Sequence, residues 1–201
     1  MHKEKQGFGD SAVATLQTSA VGQESVGMEG GYHVVCRDAD GNIKWEEQFP
    51  NLVNAVGKQL MLDTLLGGSS YSVTGPYLGL ISGASPTFAA ADTMSSHGGW
   101  TEFTNYTVGG SAVRGTATFA SASSTGTTPS NVTTAAATAI VYTITGGGGT
   151  VGGCFLTLGS GASSTQGNTG GTLYSAGAFT TAKVTTAGDT VSVTYSTTAT
   201  S

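Results

Sequence analysis

Charge is scarce in this 201-residue chain and unevenly placed: of its 7 Lys and Arg and 12 Asp and Glu, all but Asp92, Glu102, Arg114, Lys183 and Asp189 lie before residue 64. A body so poor in ionisable groups offers little for acid–base chemistry, phosphate binding or metal binding. The expectation is a protein that adheres rather than reacts, with no catalytic residue, no metal and no cofactor. The net charge of −5 and the lack of any Lys/Arg cluster exclude the basic footprint of a nucleic-acid binder. Cysteine is nearly missing too: Cys36 and Cys154 are too few for a disulfide framework, show no metal-ligand spacing, and read as reduced, buried small hydrophobes. His2, His33 and His97 are dispersed, with no pair at ligand spacing. No apolar run approaches the roughly 18 residues of a membrane span. The opening Met1-His2-Lys3-Glu4-Lys5-Gln6 lacks the apolar core of a secretory signal. A soluble protein made in a cytoplasm, with no membrane partner, is expected.

What the chain has in place of charge is Gly, Ser, Thr and Ala, and these are organised. Residues 1–30 read as an extended N-terminal arm, polar and interrupted by Gly7, Gly9, Gly22, Gly27 and Gly30. Its apolar residues Phe8, Val13, Leu16 and Val21 are too scattered to bury a face by themselves, so they become anchor candidates for a partner surface. Residues 31–201 read as the body. It opens with two strand-like runs, 32–37 and 43–49, around Asp38-Ala39-Asp40-Gly41-Asn42, the signature of a hairpin with an Asp-Gly turn. Residues 51–66 give the one convincing helix: Leu52, Val56 and Leu60 recur every four residues, Asn51 or Asn54 can cap the start and Gly67-Gly68 can end it. Leu62, Leu65 and Leu66 widen its apolar face. Beyond Gly68 the period becomes two. Ile140, Tyr142 and Ile144 alternate with Val141 and Thr143, and Val191, Val193 and Tyr195 alternate with Ser192 and Thr194. Further strands are expected at 77–81, 100–106, 113–120, 151–158 and 173–179, with a long loop at 121–137. Short strands separated by Gly-rich turns predict a mainly β fold: an antiparallel β-sandwich or jelly-roll-like domain with one helix on its N-terminal side.

Four constellations imitate chemistry. Asp38, Asp40 and Asn42 match the first, third and fifth positions of a calcium loop, but Ile43 replaces the turn glycine and Phe49 the chelating glutamate. Gly147, Gly149 and Gly152 match dinucleotide-binding spacing, yet Cys154-Phe155-Leu156-Thr157-Leu158 reads as a strand where a helix must follow, so a hairpin turn is expected. Asp92, Ser95, Ser96 and His97 hold the residue types of a hydrolase triad within one loop, without the separate elements and rigid nucleophile turn a triad needs. Trp45, Trp100, Tyr106 and Tyr174 could stack on sugar faces; filling the core or a subunit contact is the competing role.

One segment carries a resemblance. Ala89-Ala90-Ala91-Asp92-Thr93-Met94-Ser95-Ser96-His97-Gly98-Gly99-Trp100-Thr101-Glu102-Phe103-Thr104-Asn105-Tyr106 resembles the ADTMxSHxGWTExxxY stretch of a group of small tailed-bacteriophage virion proteins. Asn51-Leu52-Val53, Tyr77-Leu78-Gly79-Leu80-Ile81, Gly153-Cys154-Phe155-Leu156, Leu173-Tyr174-Ser175-Ala176-Gly177-Ala178-Phe179 and Gly188-Asp189-Thr190-Val191-Ser192-Val193-Thr194-Tyr195 extend the similarity over residues 32–196. The resemblance implies a structural component of a virion, assembled in the host cytoplasm.

Physical reasoning narrows the place. Small residues on strands give flat, closely approachable sheets with few salt-sensitive contacts to lose, and an arm that orders on a partner can clamp neighbouring subunits. The expected function is therefore a capsid cement or decoration protein, on the capsid surface, bound to the major capsid (coat) protein and forming a homo-oligomer. Within the motif, Met94 and Trp100 are expected to pack while Asp92 and His97 bond loop backbone. The arm, hairpin and helix form the expected polar docking region in front of a nearly neutral sandwich. A tail tube, baseplate or fibre-associated component is the alternative within the virion, and a glycan-binding module the alternative from another class.

Overall fold

The computed structural model describes residues 27–67, 74–122, 130–132 and 138–200; the arm anchors Phe8, Val13, Leu16 and Val21 lie outside the described residues. Strand alternation builds the first sheet. Along β1 (Gly27–Arg37) Tyr32, Val34 and Cys36 are buried, and along β12 (Thr190–Thr200) Val191, Val193 and Tyr195 are buried, with half-exposed residues between them. The order is β2 (Ile43–Pro50), β1, β12, β9 (Ile140–Ile144) and β6 (Tyr106–Thr107), with β8 (Ser130–Val132) also paired to β12. The second sheet runs β3 (Leu52–Val53), β11 (Thr172–Thr185), β10 (Gly149–Leu158), β4 (Tyr77–Ser82) and β5 (Thr101–Phe103), with β7 (Gly115–Thr116) also on β4. All these pairings are antiparallel. The expected mainly β architecture with one helix is the one observed among the described residues.

The two sheets share one core. Tyr32, Val34, Cys36, Tyr142, Val193 and Tyr195 of the first sheet pack with Leu78, Leu80, Cys154, Leu156 and Tyr174 of the second. Two tyrosines also tie sheet to sheet through their hydroxyls: Tyr142 Oη donates to the Leu78 carbonyl at 2.7 Å, and Tyr32 Oη lies 2.9 Å from Ser175 Oγ. Burial raises the pKa of both phenols well above the ordinary tyrosine range. Cys36 and Cys154 are free buried thiols in this core; burial pushes Cys36 up to about 11 and raises Cys154 further.

Several expectations of detail are corrected. β1 starts at Gly27, so the arm boundary at residue 30 is too late: residues 27–30 find backbone partners on β12, in register from Gly27 with Thr200 to Gly30 with Thr197. The helix α1 spans Ala55–Leu65 instead of starting at residue 51, because Leu52 and Val53 pair as a strand with Ala176 and Ser175 of β11. Asn54 stands at its N-cap position in extended conformation with no side-chain cap bond. The expected strand 100–106 breaks at Thr104 and Asn105, where the chain leaves the second sheet as β5 and enters the first as β6. Of residues 113–120 only Gly115–Thr116 is strand. In the expected loop 121–137, residues 130–132 form β8, while 123–129 and 133–137 lie outside the described residues. The glycine cluster before β10 is not a hairpin turn: it carries the chain from β9 in one sheet to β10 in the other, with Gly148 N–H donating to the Thr145 carbonyl at 3.1 Å.

At the β1–β2 turn the Asp38 carboxylate works as a turn former. Its Oδ1 accepts the backbone N–H groups of Asp40 and Asn42 at 3.0 and 2.8 Å, and its Oδ2 accepts Asn42 Nδ2 at 3.2 Å. Gly41 takes φ +88°, which the absence of a Cβ permits.

Candidate functional site

β10 and the first half of β11, Leu173–Phe179, are buried on both faces, and the second sheet therefore has two cores. Neighbouring residues divide between them: Leu80, Cys154 and Tyr174 pack in the core shared with the first sheet, while Ile81, Phe155, Leu173 and Ala176 form a second cluster with Met94 and Trp100. Met94 and Trp100, in the part of the 89–106 motif that precedes β5, thus cover the face of the second sheet that the first sheet leaves open. Met94 and Trp100 are 2% and 5% exposed, and the Trp100 ring lies 5.1 Å from the Phe155 centroid and 6.4 Å from that of Phe88.

Local hydrogen bonds shape the segment. Asp92 Oδ2 accepts the Ala89 N–H at 3.0 Å. Thr93 and Ser96 exchange backbone bonds of 2.9 and 3.2 Å, closing a tight turn around Met94. The His97 ring stacks on Trp100 at 3.8 Å between centroids and 16° between planes. Its Nδ1–H donates to the Trp100 carbonyl at 3.1 Å, since a carbonyl can only accept. The segment is also fastened to the helix start: Asn54 Nδ2 donates to the Ala89 and Asp92 carbonyls at 3.1 and 3.4 Å, and Ala55 N–H to the Ala90 carbonyl at 2.9 Å. His97 is turned onto Trp100 and Ser95 Oγ onto Thr93 Oγ1, at 3.3 Å, so Asp92, Ser95, Ser96 and His97 form a folded loop and not a triad.

Glu102 of the segment and Arg114 beyond it form a pair that sequence reasoning did not single out. Arg114 and Glu102 meet through two parallel bonds, with side chains 1% and 8% exposed. Arg114 also donates from Nη1 to the Ser163 carbonyl at 3.2 Å and from Nη2 to that of Asn168 at 2.7 Å, and Glu102 Oε2 accepts the Gly167 N–H at 2.7 Å. The pair clamps the 163–168 loop against the motif, with the guanidinium 5.1 Å from the Phe155 ring centroid. Its one available signal was scarcity: with only five charges after residue 63, each one present calls for a specific partner.

The remaining two charges after residue 63 are engaged as well. Asp189 Oδ2 meets Lys44 Nζ at 2.6 Å, and Lys183 Nζ meets Glu47 Oε2 at 2.8 Å. Burial works to raise the pKa of Asp189, but Lys44 and the Thr186 N–H and hydroxyl outweigh it and hold the carboxyl below its ordinary value. Glu47 is held down likewise, against burial, by Lys183 and the Thr180 N–H. Lys44 and Glu47 belong to β2 and their partners to β11 and the turn after it. Two charges expected to face a partner from the hairpin therefore turn inward and tie the edges of the sheets together.

The aromatic candidates for sugar stacking have the same fate. Tyr106 and Tyr174 are 1% and 8% exposed, Trp45 is half-buried with its edge against Phe179 at 5.3 Å, and Trp100 is covered by His97. Trp100, Tyr106 and Tyr174 therefore present no free ring face.

The uncovered broad surface is the outer face of the first sheet. Thr190, Ser192, Thr194, Ser196 and Thr198 form a column along β12, beside Val35 and His33 on β1 and Val141 on β9, and no described element packs over them. At one end of this face Gly31, lacking a side chain, leaves a groove of about 420 Å³ walled by Glu29, Gln48, Pro50, Ser196 and Thr198. Among the described residues no group of three or more His, Cys, Asp or Glu could hold a metal ion, and no helix is long and apolar enough to cross a membrane. Comparison of the chain with protein-family models, with curated proteins and with solved structures returned no match.

Proposed function

We propose that this chain is a structural protein of a bacteriophage virion, a capsid cement that binds the coat-protein shell through its N-terminal arm and rests on it by the outer face of the first sheet. The observation that carries the reading is the division of the body's surface. The second sheet is covered by the motif segment and α1, whereas the first sheet presents a flat column of hydroxyls with no described cover, and its strand β1 begins where residues 1–26 join the body. Hydroxyl-lined strands allow a partner surface to approach closely without ion pairs, so the contact would be insensitive to salt. The motif's resemblance to tailed-phage virion proteins supplies the setting. Phe8, Val13, Leu16 and Val21 are the proposed anchors on the coat protein, and many copies on a lattice would add avidity.

Deleting residues 1–25 tests this directly. The expected result is a folded body, by its unfolding midpoint, that no longer binds shells lacking the protein; retained binding at equal occupancy overturns the role of the arm. Copy number tests the location. A cement protein approaches the abundance of the coat protein in purified particles, and a far lower abundance would assign the chain to the tail.

A further inference from the structure

Most sheet edges in this fold are too short to recruit another strand. β3, β5, β6 and β7, at the ends of the two sheets, are two or three residues long. Two edges are long. β2 ends the first sheet over 8 residues, where strands usually have about 5–6, and no described strand pairs with its outer side. β11 runs on from Gly177 to Thr185 beyond its pairing with β3 at Ser175 and Ala176. An edge of that length is a template on which another chain can add a strand.

Both long edges carry features that oppose such addition. On β2 the register shifts between Cys36 and Arg37, whose partners are Trp45 and Ile43, so Lys44 is an extra residue that bulges the strand. Pro50 stands opposite Gly31. Because the Asn51 N–H donates to the Gly30 carbonyl at 3.0 Å, the alternation of the ladder turns position 50 outward, where proline has no N–H to offer. The same alternation turns the Glu46 and Gln48 amides outward. Glu47 lies opposite the buried Val34 and so points to the core side, between Trp45 and Phe49, whose rings meet Phe179 of β11 at 5.3 and 4.8 Å. There its carboxylate engages the β11 edge as well: Oε1 accepts the Thr180 N–H at 2.6 Å and Oε2 meets Lys183 Nζ at 2.8 Å. β11 is itself irregular at this point, since Ala178 and Lys183 pair with Gly153 and Val151 of β10 and the residues between them bulge.

From this arrangement we infer that β2 is an edge fitted to pair antiparallel with β2 of a second copy, and that Glu47, with Lys44 and Pro50, keeps it closed. A strand added beside β2 would cover Glu47 and Lys183, now 14% and 22% exposed, and would cost them their remaining water. Charge is concentrated where the edge is long: Lys44, Glu46 and Glu47 fall within positions 44–47 of this one strand, in a chain with only five charges after residue 63. The charges of the hairpin thus guard an edge instead of facing a partner. This role is independent of the cement reading, which concerns the arm and the outer face of the first sheet.

Full-length Glu47→Thr/Pro50→Thr is compared with the parent by sedimentation velocity from about 1 to 100 μM, the range in which a micromolar self-association shows. Expected is a doubling of mass with rising concentration in the variant and no change in the parent. Hydrogen exchange locates the contact: the Glu46 and Gln48 amides are expected to exchange at least about tenfold more slowly in the associated variant. A variant that unfolds as cooperatively as the parent and keeps the parent's mass throughout overturns the inference. So does association that leaves those two amides unprotected, because the contact then lies elsewhere, and so does a parent that already associates with them protected. Should loss of Glu47 prevent folding, Glu46→Thr/Pro50→Thr, both at exposed positions, takes its place with the same expected doubling, and an unchanged mass there overturns the inference too. None of these results alters shell binding by the arm.

Discussion

Arg114 and Glu102 face each other in a fork, Nε to Oε1 at 2.8 Å and Nη2 to Oε2 at 2.6 Å, in a body where formal charge is otherwise nearly absent. The geometry satisfies both planar groups, and neighbouring backbone completes them. Such a pair is weak evidence for net stability, since desolvation opposes the attraction, but breaking it leaves a buried charge without its partner.

Glu102→Gln and Arg114→Met are therefore each expected to destabilise the fold by about 3–5 kcal/mol, and the double variant by less than their sum. Urea unfolding of the three variants measures this. Additive losses would show that the two side chains act separately.

Gly57 gives a prediction whose sign helix propensity gets wrong. In an exposed helix interior, Gly→Ala stabilises by about 1 kcal/mol. Here a Cβ would meet the Tyr174 carbonyl oxygen at 2.8 Å and its Cα at 3.0 Å, both backbone atoms of β11. Gly57→Ala is thus expected to destabilise by about 1–3 kcal/mol, as overpacking does, and a raised unfolding midpoint would refute the close approach.

Acid stability follows from Asp189 and Glu47. Both carboxyls have native pKa values below their ordinary 3.8 and 4.5, so their contribution is fully present above those values and is lost as pH falls through the lower native ones. Stability should hold constant from neutral pH down to about 5 on this account and decline below about 4. Asp189→Asn is expected to unfold at lower urea than the parent at pH 7 and to converge with it at acid pH. A gap that stays constant across the titration would remove Asp189 as its source.

Legibility followed the range of the interactions. Ile140, Tyr142 and Ile144 are buried and Val141 and Thr143 exposed, as their alternation predicts, because a strand with one buried face writes that fact into neighbouring residues. β10 could be recognised as a strand, and its run of apolar and small residues on both faces fits its two-sided burial, but which segment covers the second face is a long-range matter that the run does not record. Leu52, Val56 and Leu60 keep helical spacing, yet Leu52 joins β11 across more than 120 positions of sequence. The break at Thr104–Asn105 has no local mark, since it is set by β4 on one side and β9 on the other. For the motif segment, the residues were named from sequence; that His97 covers Trp100 and that Arg114 and Glu102 flank them came only with the fold.

The sequence by itself determined that this is a mainly β chain with one helix and a body in which charge is rare, because alternation, turn glycines and composition are local properties. Tertiary structure decided where each rare charge goes. Lys44 finds Asp189, Glu47 finds Lys183 and Arg114 finds Glu102, at contacts under 3 Å between residues that 12 to 145 positions separate. For the buried Arg114–Glu102 pair the reason is the cost of leaving a charge without a partner in a low-dielectric interior, and for all three only the closed sheets bring the partners within reach.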